Sequence, residues 1–291
     1  MSTSSTPSTP SGPGTGDDRP GTPGRDDRSR PPRPSIAELR PVVHPEGIKD
    51  RRSGEHWAGR LYMREISLRW TRLLVNSRIT PNQLTHLMVL AGVGAGAALL
   101  IPGILGAVLA ALLIQLYLLL DCVDGEVARW RRQTSVTGVY LDRIGHYLAE
   151  AALLVGFGLR AADLFAREGA GGEWMWAFLG TLAALGAILI KAETDLVDVA
   201  RSRSGMPAVR EEAAVPRSSR VALARRAAAA LKFHRLVGGV EASLFILVVA
   251  IADLIAGGLF FTRLGVVVLA AVAVLQTVLH LISILASSRL R

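Results

Sequence analysis

The sequence predicts an all-α integral membrane protein with six transmembrane helices, preceded by an N-terminal amphipathic helix at the membrane interface. Two observations support this fold class. Half of the 291 residues are hydrophobic, and no Asp, Glu, Lys or Arg lies between Pro81 and Leu120. Because about 20 apolar residues cross the bilayer core as a helix, that uncharged run is long enough for two spans joined at Pro102-Gly103.

Four further apolar segments complete the predicted count of six spans. They are Gly138–Ala161, Trp174–Ile190, Gly239–Gly258 and Leu264–Ser287. The first of these four, which is the third span of the chain, also carries Asp142, His146 and Glu150. Ionisable groups inside a span are costly and usually functional, so this helix is where we expect a site.

The chain divides into three parts by composition. Residues 1–50 are rich in Ser, Thr, Pro and Gly, which predicts a disordered tail because such a segment buries too little apolar surface. Residues 51–79 are predicted to form a juxtamembrane amphipathic helix, since tryptophans and leucines at helical spacing alternate with arginines. Residues 80–291 form the six-span domain.

Basic residues predict the orientation and the partners. They concentrate in the N-terminal region, in the Arg129–Arg132 connection and in the Lys191–Arg235 connection, which places both termini in the cytoplasm of a multi-pass cell-membrane protein. We interpret the net charge of +9 as a means of attraction toward anionic lipid headgroups.

The Lys191–Arg235 connection would adhere to the membrane surface, or Arg235 could bind an acceptor's phosphate. No base-reading module is visible, so we expect no nucleic-acid partner.

Acidic residues cluster on both sides of one short connection. Asp121 and Asp124 are three residues apart, and Asp142 and His146 are four apart, so each pair lies on one side of a helix. Glu150 continues the second face. Two antiparallel spans would bring the two sets together, and carboxylates gathered near a membrane are costly unless paired. Divalent cations, which take oxygen ligands, would resolve that cost.

The spacing D-x2-D-G-x2-A-R-x8-G-x3-D resembles the signature of the CDP-alcohol phosphatidyltransferase family. Seven fixed positions of the signature match: Asp121, Asp124, Gly125, Ala128, Arg129, Gly138 and Asp142. Thr80, Pro81 and Asn82 are similar to the family's usual entry to its first span. The eighth fixed position is aspartate in the family and is His146 here.

The resemblance implies an enzyme of phospholipid biosynthesis that transfers a phosphatidyl group from CDP-diacylglycerol to a hydroxyl of a small alcohol and releases CMP. It implies two divalent ions, Mg²⁺ or Mn²⁺, held by Asp121, Asp124, Asp142 and His146. Substrate would be bordered by the remaining motif residues: Thr80, Pro81, Asn82, Gly125, Ala128, Arg129 and Gly138.

His146 is predicted to act in catalysis together with Glu150. The ordinary pKa of histidine, about 6.5 against about 3.9 for aspartate, suits a base at neutral pH. As a metal ligand it offers one nitrogen and no negative charge, and a nitrogen bound to metal cannot also accept a proton. Glu150 could hydrogen-bond the other ring nitrogen of His146, or it could pair with a neighbouring span for structural reasons.

Other interpretations stay open from sequence alone. A family-like protein could bind CDP-lipid yet be catalytically altered or inactive because His146 replaces the last aspartate. A metal-ion transporter would use the carboxylates but would not explain the glycine, alanine and arginine spacing. The acceptor alcohol is open among glycerol phosphate, inositol or its phosphate and others, and so is the reverse polarity with a CDP-linked alcohol. The small-residue run Ala91–Ala98 suits close helix packing, within a homodimer or within the chain.

Overall fold

The body of the fold is a set of long helices that pack side by side. The computed structural model describes residues 30–31, 33–44, 58–164, 173–207, 236–287 and 290, and these described residues include no strand. The helices belong to the unit Pro32–Arg291, whereas the unit Met1–Pro31 lies almost wholly outside the described residues.

The helices are numbered in chain order. They are α1 Ile36–Val43, α2 Arg64–Leu74, α3 Pro81–Ala98, α4 Gly103–Arg131, α5 Val136–Ala161, α6 Trp174–Arg203, α7 Gly239–Ala256 and α8 Phe260–Leu285. A π-helical turn, Gly59–Met63, leads into α2. Helix α3 packs against α4 and α5, α5 against α6, and α6 against α8.

Four of these helices, α4, α6, α7 and α8, are long and apolar enough to cross a membrane. Helix α5 falls outside that group because it carries the charged residues Asp142, Arg143, Glu150 and Arg160. Helix α3 has 18 residues and opens with polar ones. The described structure therefore has an all-helical architecture with four candidate membrane spans, and α3 and α5 pack within the same bundle.

The predicted spans coincide with helices, but α4 and α6 continue well beyond the apolar segments, to Arg131 and Arg203. Hydropathy marks where apolar side chains stop, whereas a helix continues until its backbone changes conformation. Arg132, the residue after the last one of α4, terminates the helix. Its left-handed φ of 56° is uncommon for a residue with a side chain. The extension of α4 carries Asp121 and Asp124 of the predicted site.

Helix α1 corrects the prediction that residues 1–50 are disordered. Ser35 caps this helix through a reciprocal pair of hydrogen bonds with Glu38, which satisfies backbone donors that would otherwise lack partners. Leu39 and Val43 are buried in a cluster with Trp130 of α4. Most of residues 1–50 lie outside the described part of the chain.

The predicted juxtamembrane helix is described from residue 58 onward, and its helical part is α2. Ser67, Leu68 and Thr71 form the buried face of α2, which packs on α4. Trp70 and Leu73 are exposed. The location of this helix at a membrane interface stays a prediction.

Glycines bring α3 and α5 into backbone contact. A Cβ atom on Gly96 would lie 2.1 Å from the carbonyl oxygen of Ala152, and one on Gly92 would lie 2.3 Å from the Cβ of Ala149. Only a residue without a side chain fits at such an approach. Within the chain, this packing accounts for part of the Ala91–Ala98 run, while the predicted homodimer stays a prediction.

Replacing Gly96 with alanine is expected to destabilise the protein, because the added methyl meets backbone that cannot move without separating α3 from α5. Overpacking of this kind costs about 1–3 kcal/mol. Gly94→Ala is the matched control on the same helix, since its Cβ would meet only a Leu113 methyl at 3.8 Å. Thermal unfolding in detergent should show a lower midpoint for Gly96→Ala alone. Equal midpoints for the two variants would contradict the close contact.

Candidate functional site

The α4–α5 hairpin brings the two acidic segments together, as the sequence predicted. After Arg132 ends α4, Ser135 begins α5 by accepting a hydrogen bond at its Oγ from the backbone N–H of Gly138, 3.0 Å away. Because this connection is short, the last turns of α4 face the first turns of α5. Asp121 and Asp142 therefore approach each other from different helices.

Asp121, Asp142 and His146 form one compact group. Each offers a ligand atom, and these atoms all lie within 4.8 Å of one another. Nε2 of His146 is 3.2 Å from Oδ1 of Asp121 and 3.5 Å from Oδ1 of Asp142. The group is only partly buried, with Asp142 the most exposed at 42% of its side chain, so an ion or a substrate phosphate can reach it from solvent.

Tyr117 contacts the other side of the His146 ring. Its hydroxyl forms a short hydrogen bond with Nδ1, and the two rings meet edge to face with centroids 5.6 Å apart. Tyr117 lies one helical turn before Asp121 on α4 and is buried, with 3% of its surface exposed. The position of the histidine is thus set from both ring nitrogens. Tyr117 is not among the site residues predicted from the sequence.

Asp124 stands apart from this group. It is buried, and its Oδ2 accepts a hydrogen bond from Oγ1 of Thr85 on α3 at 2.5 Å. A carboxylate that is taken out of water in this way needs such a donor. The structure therefore brings together three of the four predicted metal ligands and gives Asp124 a partner on α3.

Two roles for Glu150 were left open by the sequence, a hydrogen bond to His146 or a pairing with a neighbouring span. The first is not what the structure shows, because the Tyr117 hydroxyl contacts the Nδ1 atom of His146. Oε1 of Glu150 lies 2.9 Å from Nζ of Lys191 on α6 and 3.4 Å from the backbone N–H of Gly239. Glu150 is buried, so a cation from a neighbouring helix offsets its desolvation, which is the structural alternative left open by the sequence.

The predicted substrate residues at the start of α3 lie beside the start of α5. Thr80 caps α3 in a reciprocal hydrogen-bond pair with Gln83, and Pro81 occupies the first helical position, where its missing N–H costs nothing. Oδ1 of Asn82 lies 3.3 Å from the point where a Cβ on Gly138 would stand. The absence of a side chain at Gly138 therefore lets this polar side chain approach α5 closely, at the same end of α5 as Asp142.

The remaining motif residues line the α4 side of this region. The guanidinium of Arg129 lies over Gly125, and its Nη1 is 3.1 Å from the point where a Cβ on residue 125 would stand. Arg129 also donates from Nε to the carbonyl oxygen of Val43, 2.9 Å away. Ala128 lies next to it and is half-buried. The motif arginine is thus held by the end of α1.

Glu126, inside the motif but not one of its fixed positions, anchors the N-terminal helices. It is fully buried, and its carboxylate accepts hydrogen bonds from Ser67 at 2.5 Å and Thr71 at 2.6 Å, both on α2. Nε2 of His44, at the end of α1, lies 2.8 Å from Oε1. Sequence reasoning missed this network. Its signal is the spacing of Ser67 and Thr71, which are four residues apart and so share one helix face.

Comparison with protein families decides the identity of the fold. The model of the CDP-alcohol phosphatidyltransferase family matches residues 78–288. The chain belongs to this family. The matched region begins just before Thr80 and includes every fixed position of the motif, so the resemblance drawn from the spacing is confirmed.

Two relatives match part of this chain. A bifunctional IPC transferase and DIPP synthase from Thermococcus kodakarensis is 31% identical over 143 residues, which are 49% of this chain and 30% of the relative. A protein of the same description from Aquifex aeolicus is 35% identical over 91 residues, 31% of this chain and 20% of the relative. The chain thus spans less than a third of either relative's length.

The donor set fits the divalent ions that this family uses. Asp121 and Asp142 supply carboxylate oxygens and His146 supplies a nitrogen, all close enough for one ion. Two partly exposed carboxylates at this separation repel unless a cation lies between them. The residues of the described structure can therefore hold a metal ion between α4 and α5.

Thr71→Val is expected to weaken the packing of α1 and α2 on α4. Valine has nearly the same shape as threonine but lacks the hydroxyl, so the buried carboxylate of Glu126 loses a hydrogen-bond donor. A buried acceptor that loses its donor costs about 1–3 kcal/mol. Hydrogen–deuterium exchange should show faster exchange in Ile36–Val43 and Arg64–Leu74. Thr181→Val is the matched control, because the Thr181 hydroxyl is exposed and donates to the carbonyl oxygen of Ala177 in the same helix, α6. Unchanged exchange in Thr71→Val would refute the anchoring role of Glu126.

Proposed function

We propose that this family member transfers a phosphatidyl group from CDP-diacylglycerol to a hydroxyl of a small alcohol, with release of CMP, in phospholipid biosynthesis. The observation that supports this proposal most directly is the approach of Asp121, Asp142 and His146 within 4.8 Å, at the spacing of the family signature. The family match gives the type of transferase, while the substrate and its lipid part are proposals.

Asp121, Asp142 and His146 would hold the divalent ion, Mg²⁺ or Mn²⁺. When bound, the ion supplies charge neutralisation for the phosphates, which is the main demand of phosphoryl-type transfer. We keep Asp124 as a proposed ligand of a second ion, since Thr85 engages only its Oδ2.

The nucleotide part of CDP-diacylglycerol would lie between the starts of α3 and α5 and the last turns of α4. Thr80, Pro81 and Asn82 would border it from α3, and Gly138, which lies close to Asn82, would border it from α5. From α4, Gly125, Ala128 and Arg129 would border the phosphates, with Arg129 as a charged partner for them. This arrangement orients the nucleotide lipid with its phosphorus toward Asp121.

In the transfer, an oxygen of the acceptor alcohol forms a bond to the phosphorus while the bond between phosphorus and the CMP oxygen breaks. The hydroxyl proton passes to a base at the site, and the electron pair of the broken bond leaves with CMP. His146 stands at the motif position predicted for this base and faces the site with Nε2, which at any instant can either bind the ion or accept the proton, but not both. Glu150 would act only indirectly, because it pairs with Lys191.

We propose six membrane spans formed by helices α3 to α8, with α2 lying in the headgroup layer. Both termini and the site would face the cytoplasm of the cell membrane, as the distribution of basic residues indicates. Exposed Trp70 and Leu73 beside the arginines of α2 suit an interfacial helix. The bilayer would then present the lipid substrate at the same surface where the α4–α5 connection lies.

A second candidate is a protein that binds CDP-lipid without turning it over. His146 supports this alternative, because an imidazole brings no negative charge where the family has a carboxylate. Binding without CMP release would distinguish it from the transferase.

Purified protein incubated with labelled CDP-diacylglycerol, Mg²⁺ or Mn²⁺ and a panel of alcohols is expected to release CMP. Asp121→Asn should reduce release to background, because it removes a charge from the metal group. Asp198→Asn, at an exposed position of the same helix bundle, is the matched control and should release CMP like the parent. Metal-dependent binding of the nucleotide lipid with no CMP from any acceptor, including tests with a CDP-linked alcohol and a lipid acceptor, would overturn the proposal.

A further inference from the structure

The two ring nitrogens of His146 face different partners. Nε2 points into the metal group, between Asp121 and Asp142. Nδ1 points away from it and forms a hydrogen bond with the Tyr117 hydroxyl. A neutral imidazole carries one N–H and one lone pair, so the partner at Nδ1 influences which of the two is available at Nε2.

Tyr117 is built to hold that ring in place. It is buried on α4, and its ring meets the imidazole edge to face at an interplanar angle of 83°. Its hydroxyl can accept a hydrogen bond from Nδ1–H, which leaves the lone pair of the imidazole on Nε2. A histidine that ligates a metal usually donates its other N–H to an acceptor in this manner.

We propose that Tyr117 is a positioning residue that presents Nε2 of His146 as a nitrogen ligand, so that the cation site of this chain is a mixed oxygen and nitrogen site. Mg²⁺ strongly prefers oxygen ligands, whereas first-row transition ions also accept imidazole. The site is therefore selective for Mn²⁺ and similar ions over Mg²⁺, compared with the all-carboxylate arrangement that an aspartate at position 146 would give. This inference deepens the proposed function and rests on it only for the part the ion plays in the transfer.

A consequence concerns the base. An Nε2 bound to the ion would have no lone pair for the proton of the alcohol, so a carboxylate oxygen of Asp121 or Asp142, or water, would take that proton. The histidine at the last motif position is then explained by the identity of the metal, and not by loss of the chemistry.

Pulsed electron paramagnetic resonance with Mn²⁺ tests this directly on the full-length protein in detergent, without a lipid substrate. Bound Mn²⁺ should show ¹⁴N modulation from the imidazole, and His146→Asp should lose that modulation. More Mg²⁺ should be needed to displace half of the Mn²⁺ from the parent protein than from His146→Asp. A parent spectrum without ¹⁴N modulation, or equal Mg²⁺ competition in both proteins, overturns the proposal.

Tyr117→Phe keeps the ring and removes the hydroxyl. Its affinity for Mn²⁺ is expected to fall by about tenfold or more, as for other partners of metal-bound histidines. Tyr62→Phe is the matched control, because the Tyr62 hydroxyl donates to Oε1 of Gln115 on α4 at 2.6 Å and does not contact His146. Equal affinity of Tyr117→Phe and the parent would refute the positioning role.

The outcomes separate this inference from the proposed function. ¹⁴N modulation without CMP release would contradict the transferase and leave the metal site standing. CMP release without ¹⁴N modulation would contradict the nitrogen-ligand site and leave the proposed transferase standing.

Discussion

The backbone contact between α3 and α5 is the constraint on which the site depends. Gly96 lies against the carbonyl of Ala152 with no space for a side chain, so the relative height of the two helices is fixed. At the site end, that register places Asn82 beside Gly138 and Thr85 against Asp124 of α4. A larger separation of α3 from α5 would therefore disturb site residues on α3, α4 and α5 together.

The carboxylates of this region have different partners, and the difference gives each a different role. Glu126 accepts hydrogen bonds from α2, Glu150 meets a lysine from α6, and Asp124 is held by a threonine. Each of these arrangements satisfies a buried acid with protein groups. Asp121 and Asp142 instead approach each other and a histidine at a partly exposed position, where a cation is the natural counter-charge.

The sequence predicted well what depends on local spacing. The uncharged run and the motif located the helices and the α4–α5 hairpin, because hydropathy and three- or four-residue spacing are properties of single helices. The sequence did not predict the contacts between segments that are far apart along the chain. His44 and Glu126 are 82 positions apart, and helix α1 is short enough to need that contact. Helical spacing placed Glu150 one turn from His146, yet it could not show that Lys191 approaches from α6 or that Tyr117 occupies Nδ1.

We propose that α4 and α5 of this family member combine Asp121, Asp142 and His146 into one metal site. Anomalous diffraction at the manganese absorption edge, from crystals of the full chain grown with Mn²⁺, tests it most directly. We expect an anomalous peak within coordination distance of both carboxylates and of Nε2 of His146. A peak bound by other residues, or no peak between α4 and α5 at saturating Mn²⁺, would contradict it.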